Sequence, residues 1–463
     1  MGIKNKLAQK REWEKGVKHC TFNPEGPGVV RIHLVPPKFS LFGNPSHIVI
    51  LNGYYLLPLG YSWAVLLSHF IEEVNRFEGK AITQAEEQEI ARNTVSKTKK
   101  VYPSADKKLL EDDLEDMMDV LFAVAHGEAP EAEIEVLSLQ EYAKHMSAPH
   151  RMDLMVAAMT DGKGARRCNQ NCLFCYAEKE PLGSTAELSA QEWKNILDTL
   201  RESRVPMVTF TGGEPTMRKD LPELVEYAKW FITRVNTNGV LLSAELCAKL
   251  KAASLDSIQI TLYSHQEVIH NRLVGSTHFE HTVQGIRNAL AAGLDVSVNT
   301  PLCNANRDYL QTVKFLHTLG VRFVTLSGLI LTGNAVDTKE RQLSGEELYT
   351  IVEETKVFCD THGIEMDFTS PGLIPREKLE ALGLHVPLCG AGLSNMAIAP
   401  DGTVIPCQSW LKADAGLGNL LKDDWKAIWK HPRCQKHPRC QKLRSMTEAE
   451  AEACPFRKEA RHG

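Results

Sequence analysis

The 463-residue chain contains no unbroken apolar run of the roughly 18 residues that a membrane-crossing helix needs. Its most apolar region, Ile48 to Ile71, is interrupted by Asn52-Gly53, Pro58, Gly60 and His69. The first residues, Met1 to Lys15, are charged and lack the apolar core of a secretory signal. There is no basic excess either. Lys and Arg number 53 against 58 Asp and Glu, the formal net charge is −5 and the pI is near 6.4, so the chain carries no field suited to nucleic acid. These absences set the expectation of a cytoplasmic protein with neither membrane nor nucleic acid as a partner. Twelve cysteines in a long chain without an export signal point to metal or cluster ligation rather than to disulfides. The length exceeds what one core holds, which predicts two or three domains.

Three of the cysteines crowd into Cys168-Asn-Gln-Asn-Cys172-Leu-Phe-Cys175, after the glycine-bearing turn Asp161-Gly-Lys-Gly164. A structural zinc site wants four closed ligands, usually as paired Cys-x2-Cys units. No fourth Cys or His lies beside this loop, His150 being too far upstream. Thiolates select iron-sulfur clusters as readily as zinc, and a cubane held by three cysteines keeps one iron open for chemistry. Free or zinc-bound thiols are the alternative.

The spacing Cys-x3-Cys-x2-Cys, with Phe174 just before the last thiol, resembles the signature of the radical S-adenosylmethionine enzymes. That resemblance implies a 4Fe-4S cluster on Cys168, Cys172 and Cys175, with Phe174 beside the cofactor. The open iron then chelates S-adenosylmethionine, whose reductive cleavage gives methionine and a 5′-deoxyadenosyl radical that removes hydrogen from the substrate.

From Arg151 onward, strand-like and helix-like segments alternate. Strands are expected at 153–160, 206–211, 232–236, 257–263, 294–300 and 322–328, with helices between 189–202 and 344–360. Six such units predict an α/β fold, a partial (β/α)6 TIM-type barrel over 151–362, with active groups on the loops after the carboxyl ends of strands. After the second strand comes Gly212-Gly213-Glu214-Pro215. Two glycines let a ligand approach the backbone, and the carboxylate can hold an ammonium group. This matches the family's second signature, which grips the methionine amino group of the cofactor. Asn236-Thr-Asn-Gly239 resembles the family's Asn-Gly turn, with Asn238 toward the ribose. Thr261 stands where relatives often carry a serine near the cofactor, and Arg272 looks like the arginine that pairs with the cofactor carboxylate. The ordinary readings of these three are a turn, a buried hydroxyl and a surface cation. Cys303 follows the fifth strand, so it faces the barrel mouth. A thiol there either gives a hydrogen atom to a substrate radical, as in the peptide epimerases of this family, or fills a small apolar space. Cys20, Cys247 and Cys359 show no cluster spacing and read as core or surface thiols.

Residues 1–27 read as an N-terminal extension and 28–129 as a small α+β domain. Val29 to Val35 is a predicted strand, and His47 to Leu51 with Tyr54 to Leu57 a hairpin around Asn52-Gly53. Helices are predicted at Tyr61 to Phe77, Gln84 to Lys99 and Ala105 to Ala125. In the third, Leu110, Leu114, Met117, Leu121 and Val124 share one face, and Glu111, Asp112, Asp113, Glu115, Asp116 and Asp119 the other. By order of elements this resembles the winged-helix-like domain with which many peptide-maturing enzymes bind a leader peptide by strand addition. Residues 130–150 read as a linker.

The final stretch, 363–463, carries Cys389-x12-Gly402-x4-Cys407, then Cys434, Cys440 and Cys454. The pattern resembles the start of the auxiliary-cluster extension called SPASM, or its shorter form, twitch. A full SPASM extension continues with Cys-x2-Cys-x5-Cys-x3-Cys and a final Cys. Only three more thiols follow here, which favours one auxiliary 4Fe-4S cluster over two. The repeat Lys430-His-Pro-Arg-Cys-Gln435, Lys436-His-Pro-Arg-Cys-Gln441 leaves Cys434 as an alternative to Cys440, and the favoured set is Cys389, Cys407, Cys440 and Cys454.

Leader-binding domain, radical barrel and auxiliary cluster in that order look like a radical S-adenosylmethionine maturase of ribosomally made peptides. The resemblance implies a precursor peptide as partner and flavodoxin or ferredoxin as electron donor. Hydrogen abstraction would close a thioether or carbon-carbon crosslink. Alternatives are a peptide epimerase, a sulfatase-type protein maturase, an enzyme of a small metabolite such as a tetrapyrrole, or a non-catalytic electron carrier or zinc module.

Overall fold

The computed structural model describes residues 17–22, 30–37, 46–53, 55–77, 82–125, 135–137, 141–142, 146, 148–161, 164–387 and 389–430. Two compact units emerge, Met1–Ala148 with Leu200–Pro206, and Pro149–Thr199 with Met207–Gly463.

The first unit holds an antiparallel sheet in the order β1 (Lys18–Phe22), β2 (Val30–Val35), β3 (His47–Leu51), β4 (Tyr55–Leu59). At the β3–β4 turn, Asn52 and Gly53 both adopt positive φ, 49° and 70°, as the dipeptide predicts. Three helices follow: α1 (Tyr61–Val74), α2 (Gln84–Val101) and α3 (Lys107–Ala125). Thr83 opens α2 with a reciprocal capping box to Glu86. In α3 the buried residues are Leu110, Leu114, Met117, Leu121 and Val124, the predicted face, and they join the core beneath the sheet. One element was not anticipated. Residues 18–22, read as part of an extension, pair with β2 as an edge strand, because the pairing is supplied by β2 and not by any apolar alternation within Lys-His-Cys-Thr-Phe.

The second unit is built on a ten-stranded sheet in the order β11-β10-β9-β8-β7-β6-β5-β12-β13-β14. Its parallel strands are β5 (Arg151–Ala157), β6 (Met207–Gly212), β7 (Ile232–Thr237), β8 (Ser257–Thr261), β9 (Asp295–Leu302), β10 (Phe323–Gly328) and β11 (Glu365–Phe368). The helices between them are α4 (Ala190–Glu202), α5 (Leu221–Tyr227), α6 (Ala244–Ala252), α7 (Glu267–Val274), α8 (Phe279–Ala291), α9 (Tyr309–Thr318) and α10 (Gly345–His362). All six expected strands are present, and β11 adds a seventh to the partial barrel. The 362/363 boundary therefore falls inside this sheet, which continues with β12 (Asn395–Ile398), β13 (Thr403–Ile405) and β14 (Gly418–Asn419). β12 runs parallel to β5 along its free edge.

Alternation fixes the two faces. Val208, Phe210, Val235, Ile258, Ile260, Val298 and Leu326 are fully buried on one, each contributing about 1.5–3 kcal/mol by leaving water. The other is polar, with Thr209, Asn236, Gln259, Asn299 and Thr325. Among the described residues no helix is long and apolar enough to cross a membrane.

Candidate active site

The loop bearing Cys168, Cys172 and Cys175 follows β5 and is held from two sides. On one side, Asn171 N donates to Val274 O and Leu173 N to Leu273 O, both at 2.9 Å, which lays the loop on the last turn of α7. That helix ends in left-handed Gly275 (φ 60°), and a Cβ there would stand 2.3 Å from Asn171 O. On the other side, Asn334 N donates to Cys175 O at 2.9 Å and Asn334 Nδ2 to Cys172 O at 3.2 Å. A Cβ on Gly333 would stand 2.4 Å from Cys175 O. Gly333 and Asn334 follow β10, at the carboxyl end where a barrel keeps its active groups. Sequence reasoning missed this clamp, although a Gly-Asn pair just past a strand was a readable sign.

Burial pushes all three thiols up, Cys168 to about 12 and Cys172 well above its ordinary value, where Cys175 and Cys168 then add their repulsion. Three crowded thiols that resist ionisation suit a cationic cluster that stabilises them as thiolates. None of the described cysteines forms a disulfide. Among the described residues no three His, Cys, Asp or Glu side chains converge to hold a single metal ion.

The turn after β6 is pressed against β5. Gly212 has φ 130°, a Cβ on it would lie 2.2 Å from Ala157 O, and one on Gly213 would lie 2.7 Å from Ala158 O. Gly213 N donates to Ala157 O at 2.8 Å. Glu214 is 2 % exposed. Its Oε1 accepts from Thr216 N, Thr216 Oγ1 and Thr237 Oγ1, and its Oε2 from Asn238 N. Burial raises this carboxyl while those donors pull it back. Asn238 Nδ2 donates to Asn169 Oδ1 at 2.6 Å, and Gly239 N to Thr237 Oγ1 at 3.1 Å. The amides of Gly213, Asn238 and Gly239 are spent on tying three loops together, which leaves carbonyls and side chains for a cofactor.

Phe174 is buried with Tyr263, Leu273, Val274, Cys303, Leu329 and Ala335, its ring 6.3 Å from that of Tyr263. Cys172 packs against the same group, so the structure brings Cys303 to the cysteine loop. Cys303 is fully buried, and its N donates to Asn306 Oδ1 at 2.8 Å. Burial raises its thiol, and the charges of Arg341 and Arg272 lower it. Arg272 is exposed on α7, and Thr261 ends β8 half-buried opposite Asn299.

In the C-terminal stretch, β12 and β13 pair antiparallel around the Pro400-Asp-Gly402 turn. Gly392 N donates to Pro406 O at 2.9 Å, which brings the segment after Cys389 beside Cys407. Cys407, Cys168, Cys175 and Tyr176 all pack on one core of Met155, Met159, Trp410 and Leu411. Tyr176, also missed in the sequence, donates its hydroxyl to Gln408 Oε1 at 3.4 Å. Cys434, Cys440 and Cys454 lie outside the described residues.

A barrel sheet with a clamped three-thiol loop at its carboxyl end defines the class as a cluster-dependent barrel enzyme. Known proteins agree. Residues 163–316 match the Radical SAM superfamily and 389–455 the SPASM iron-sulfur cluster-binding domain. The chain is 32% identical over 313 residues to the Fe-coproporphyrin III synthase of Methanosarcina barkeri, covering 62% of this chain and 77% of that one. It is 28% identical over 275 residues to the mycofactocin maturase MftC of Mycolicibacterium smegmatis, covering 57% and 68%. The structure of Streptococcus suis SuiB bound to precursor peptide SuiA superposes with TM-score 0.59 at 15% identity, over 89% of this chain and 93% of that one. The chain belongs to the radical SAM superfamily and carries a SPASM domain. It is an enzyme whose cofactors are S-adenosylmethionine with its 4Fe-4S cluster, and auxiliary iron-sulfur chemistry.

Proposed function

We propose that this enzyme is a maturase of a ribosomally synthesised peptide. The observation that carries the reading is the unit that precedes the barrel in sequence: an antiparallel sheet that ends in β1 and β4, where Leu137 N already donates to Leu56 O at 2.8 Å in the manner of an added strand, and an α3 whose outward face is acidic. An open sheet edge takes an extended peptide by strand addition, and the barrel alone needs no such unit. The likeness of fold to SuiB, which binds a precursor peptide, extends over this region, and a mycofactocin maturase is among the relatives.

When bound, the cluster and S-adenosylmethionine supply one electron and a 5′-deoxyadenosyl radical that removes hydrogen from the peptide. Cys168, Cys172 and Cys175 would hold the cluster. Phe174, Gly212, Gly213, Glu214, Asn238, Thr261 and Arg272 would line the cofactor. Glu214 orders the turns from within, and Arg272 would meet the carboxylate. Cys303, buried beside the loop, would donate a hydrogen atom if the product were an epimer. Cys389, Cys407, Cys454 and either Cys440 or Cys434 would hold the auxiliary cluster, supporting thioether or carbon-carbon closure. Residues 28–129, 151–362 and 363–463 would act as leader, radical and auxiliary domains, with flavodoxin or ferredoxin as reductant in the cytoplasm.

The test is anaerobic incubation of the reduced, reconstituted protein with the peptide encoded in a neighbouring reading frame. The expected result is 5′-deoxyadenosine together with a mass change in the peptide. The second reading, a tetrapyrrole substrate, is favoured by the 32% identical synthase. Formation of iron coproporphyrin III or heme from a tetrapyrrole precursor, with no change in any peptide, would establish it instead.

A further inference from the structure

We propose that Gln170 is a hydrogen-bond donor to the first cluster, its side-chain amide giving an N–H to the Cys172 thiolate and so raising the potential at which that cluster is reduced. The inference is independent of which substrate the enzyme processes.

Gln170 stands between two of the ligands, in the loop Cys168-Asn-Gln-Asn-Cys172, and is 4 % exposed. Its place is fixed from outside the triplet. Arg166 Nη1 donates to Gln170 O at 3.2 Å and to Glu178 Oε2 at 2.8 Å. From there Gln170 reaches the thiols on both sides of it. Its backbone N–H faces Cys168, as those of Ala177 and Glu178 face Cys175. Its side chain meets Cys172, whose Sγ donates to Gln170 Oε1 across 3.6 Å. The contact already exists, so no space has to open for it.

That bond belongs to the thiol. A cysteine bound to iron is a thiolate and has no proton to give, so Oε1 would face an anionic sulfur at the same separation. The amide has a second arm that removes the conflict. Nε2 is buried and has no hydrogen-bond partner, so a half-turn of the amide brings its N–H onto the sulfur without breaking a bond on the far side. Because no acceptor meets Nε2 there, none repels the oxygen that takes its place. Amide oxygen and nitrogen are nearly equal in size, and which of them faces a neighbour follows from the hydrogen bonds on offer. An N–H on a cluster sulfur withdraws negative charge and favours the added electron, which raises the potential. A residue that merely filled the loop would leave the potential alone.

The test uses the full-length reconstituted protein in an anaerobic redox titration followed by electron paramagnetic resonance. The first cluster is recognised by the change in its signal when S-adenosylmethionine is added. Gln170→Leu and Gln170→Met keep the bulk and lose the donor. Each should make reduction of this cluster about tenfold less favourable, a fall in midpoint potential of about 59 mV for one electron, with the iron content of the parent. In parent protein labelled with 15N in the glutamine side-chain amides, the reduced first cluster should show a 15N coupling that Gln170→Leu lacks. An unchanged or raised potential in either variant that keeps the cluster overturns the inference. If neither variant holds the first cluster, the labelled parent decides: a 15N coupling at that cluster upholds the inference, and its absence overturns it.

Discussion

The two cysteine regions are held in opposite ways. The loop of Cys168, Cys172 and Cys175 is fixed by segments remote in sequence, the end of α7 and the Gly333-Asn334 turn. The turn of Cys389 and Cys407 is fixed mostly by its own hairpin and by the Gly392 amide on Pro406 O. The first site therefore depends on segments from across the barrel, while the second adds to its own hairpin a seat beside the cysteine loop on Met155, Met159 and Leu411. Damage far from the thiols should reach the first centre and spare the second.

The largest effect tests the first region directly. Replacing Cys168, Cys172 and Cys175 together by alanine should bring 5′-deoxyadenosine formation down to that of a reaction without protein, measured by chromatography after anaerobic reduction. Next is Gly333→Val, which puts a branched side chain where even a Cβ stands 2.4 Å from Cys175 O, at φ 56°. It should cost about 3 kcal/mol and lower the iron bound at the first site by half or more, with the auxiliary absorbance retained. Equal loss at both sites would erase the contrast drawn here. Cys407→Ala is the converse. Iron should fall by about one cluster's share while peptide-free cleavage of S-adenosylmethionine stays within about threefold of the parent, since the hydrogen bonds that clamp the first loop to Leu273, Val274 and Asn334 are kept. Glu214→Gln keeps the shape but turns an amide toward donors, and should raise the KM for S-adenosylmethionine by about tenfold, a charge-assisted hydrogen bond's worth.

The smallest effect is a pH slope. His270 accepts Tyr263 N on Nδ1 at 3.3 Å, and burial lowers its pKa from 6.5 to about 4. The unfolded chain therefore binds the extra proton first. Stability contributed by the neutral ring is intact above pH 6.5 and is lost as pH falls toward 4, by up to about 1.4 kcal/mol per pH unit. Thermal melts at pH 5 and 7 should show a smaller difference in His270→Gln than in the parent.

Much of this was legible beforehand because it rests on local rules. The α3 core face came from spacing alone, the β3–β4 turn from Asn-Gly, and the barrel strands from alternation. The Gly-Gly turn was located correctly but for an incomplete reason. Its glycines answer first to Ala157 and Ala158 across the sheet, a contact between chain segments that spacing does not encode. β1, Asn334 and Tyr176 went unread for the same reason, each owing its place to a partner distant in sequence.

The parallel alignment of β12 with β5 makes the C-terminal stretch part of the barrel's own wall. A chain cut before Asn395 would bare the Arg151 to Leu154 part of the β5 rim, a row of unpaired N–H and C=O groups inviting another molecule's strand. Shortened versions should therefore precipitate or self-associate rather than yield a tidy catalytic core.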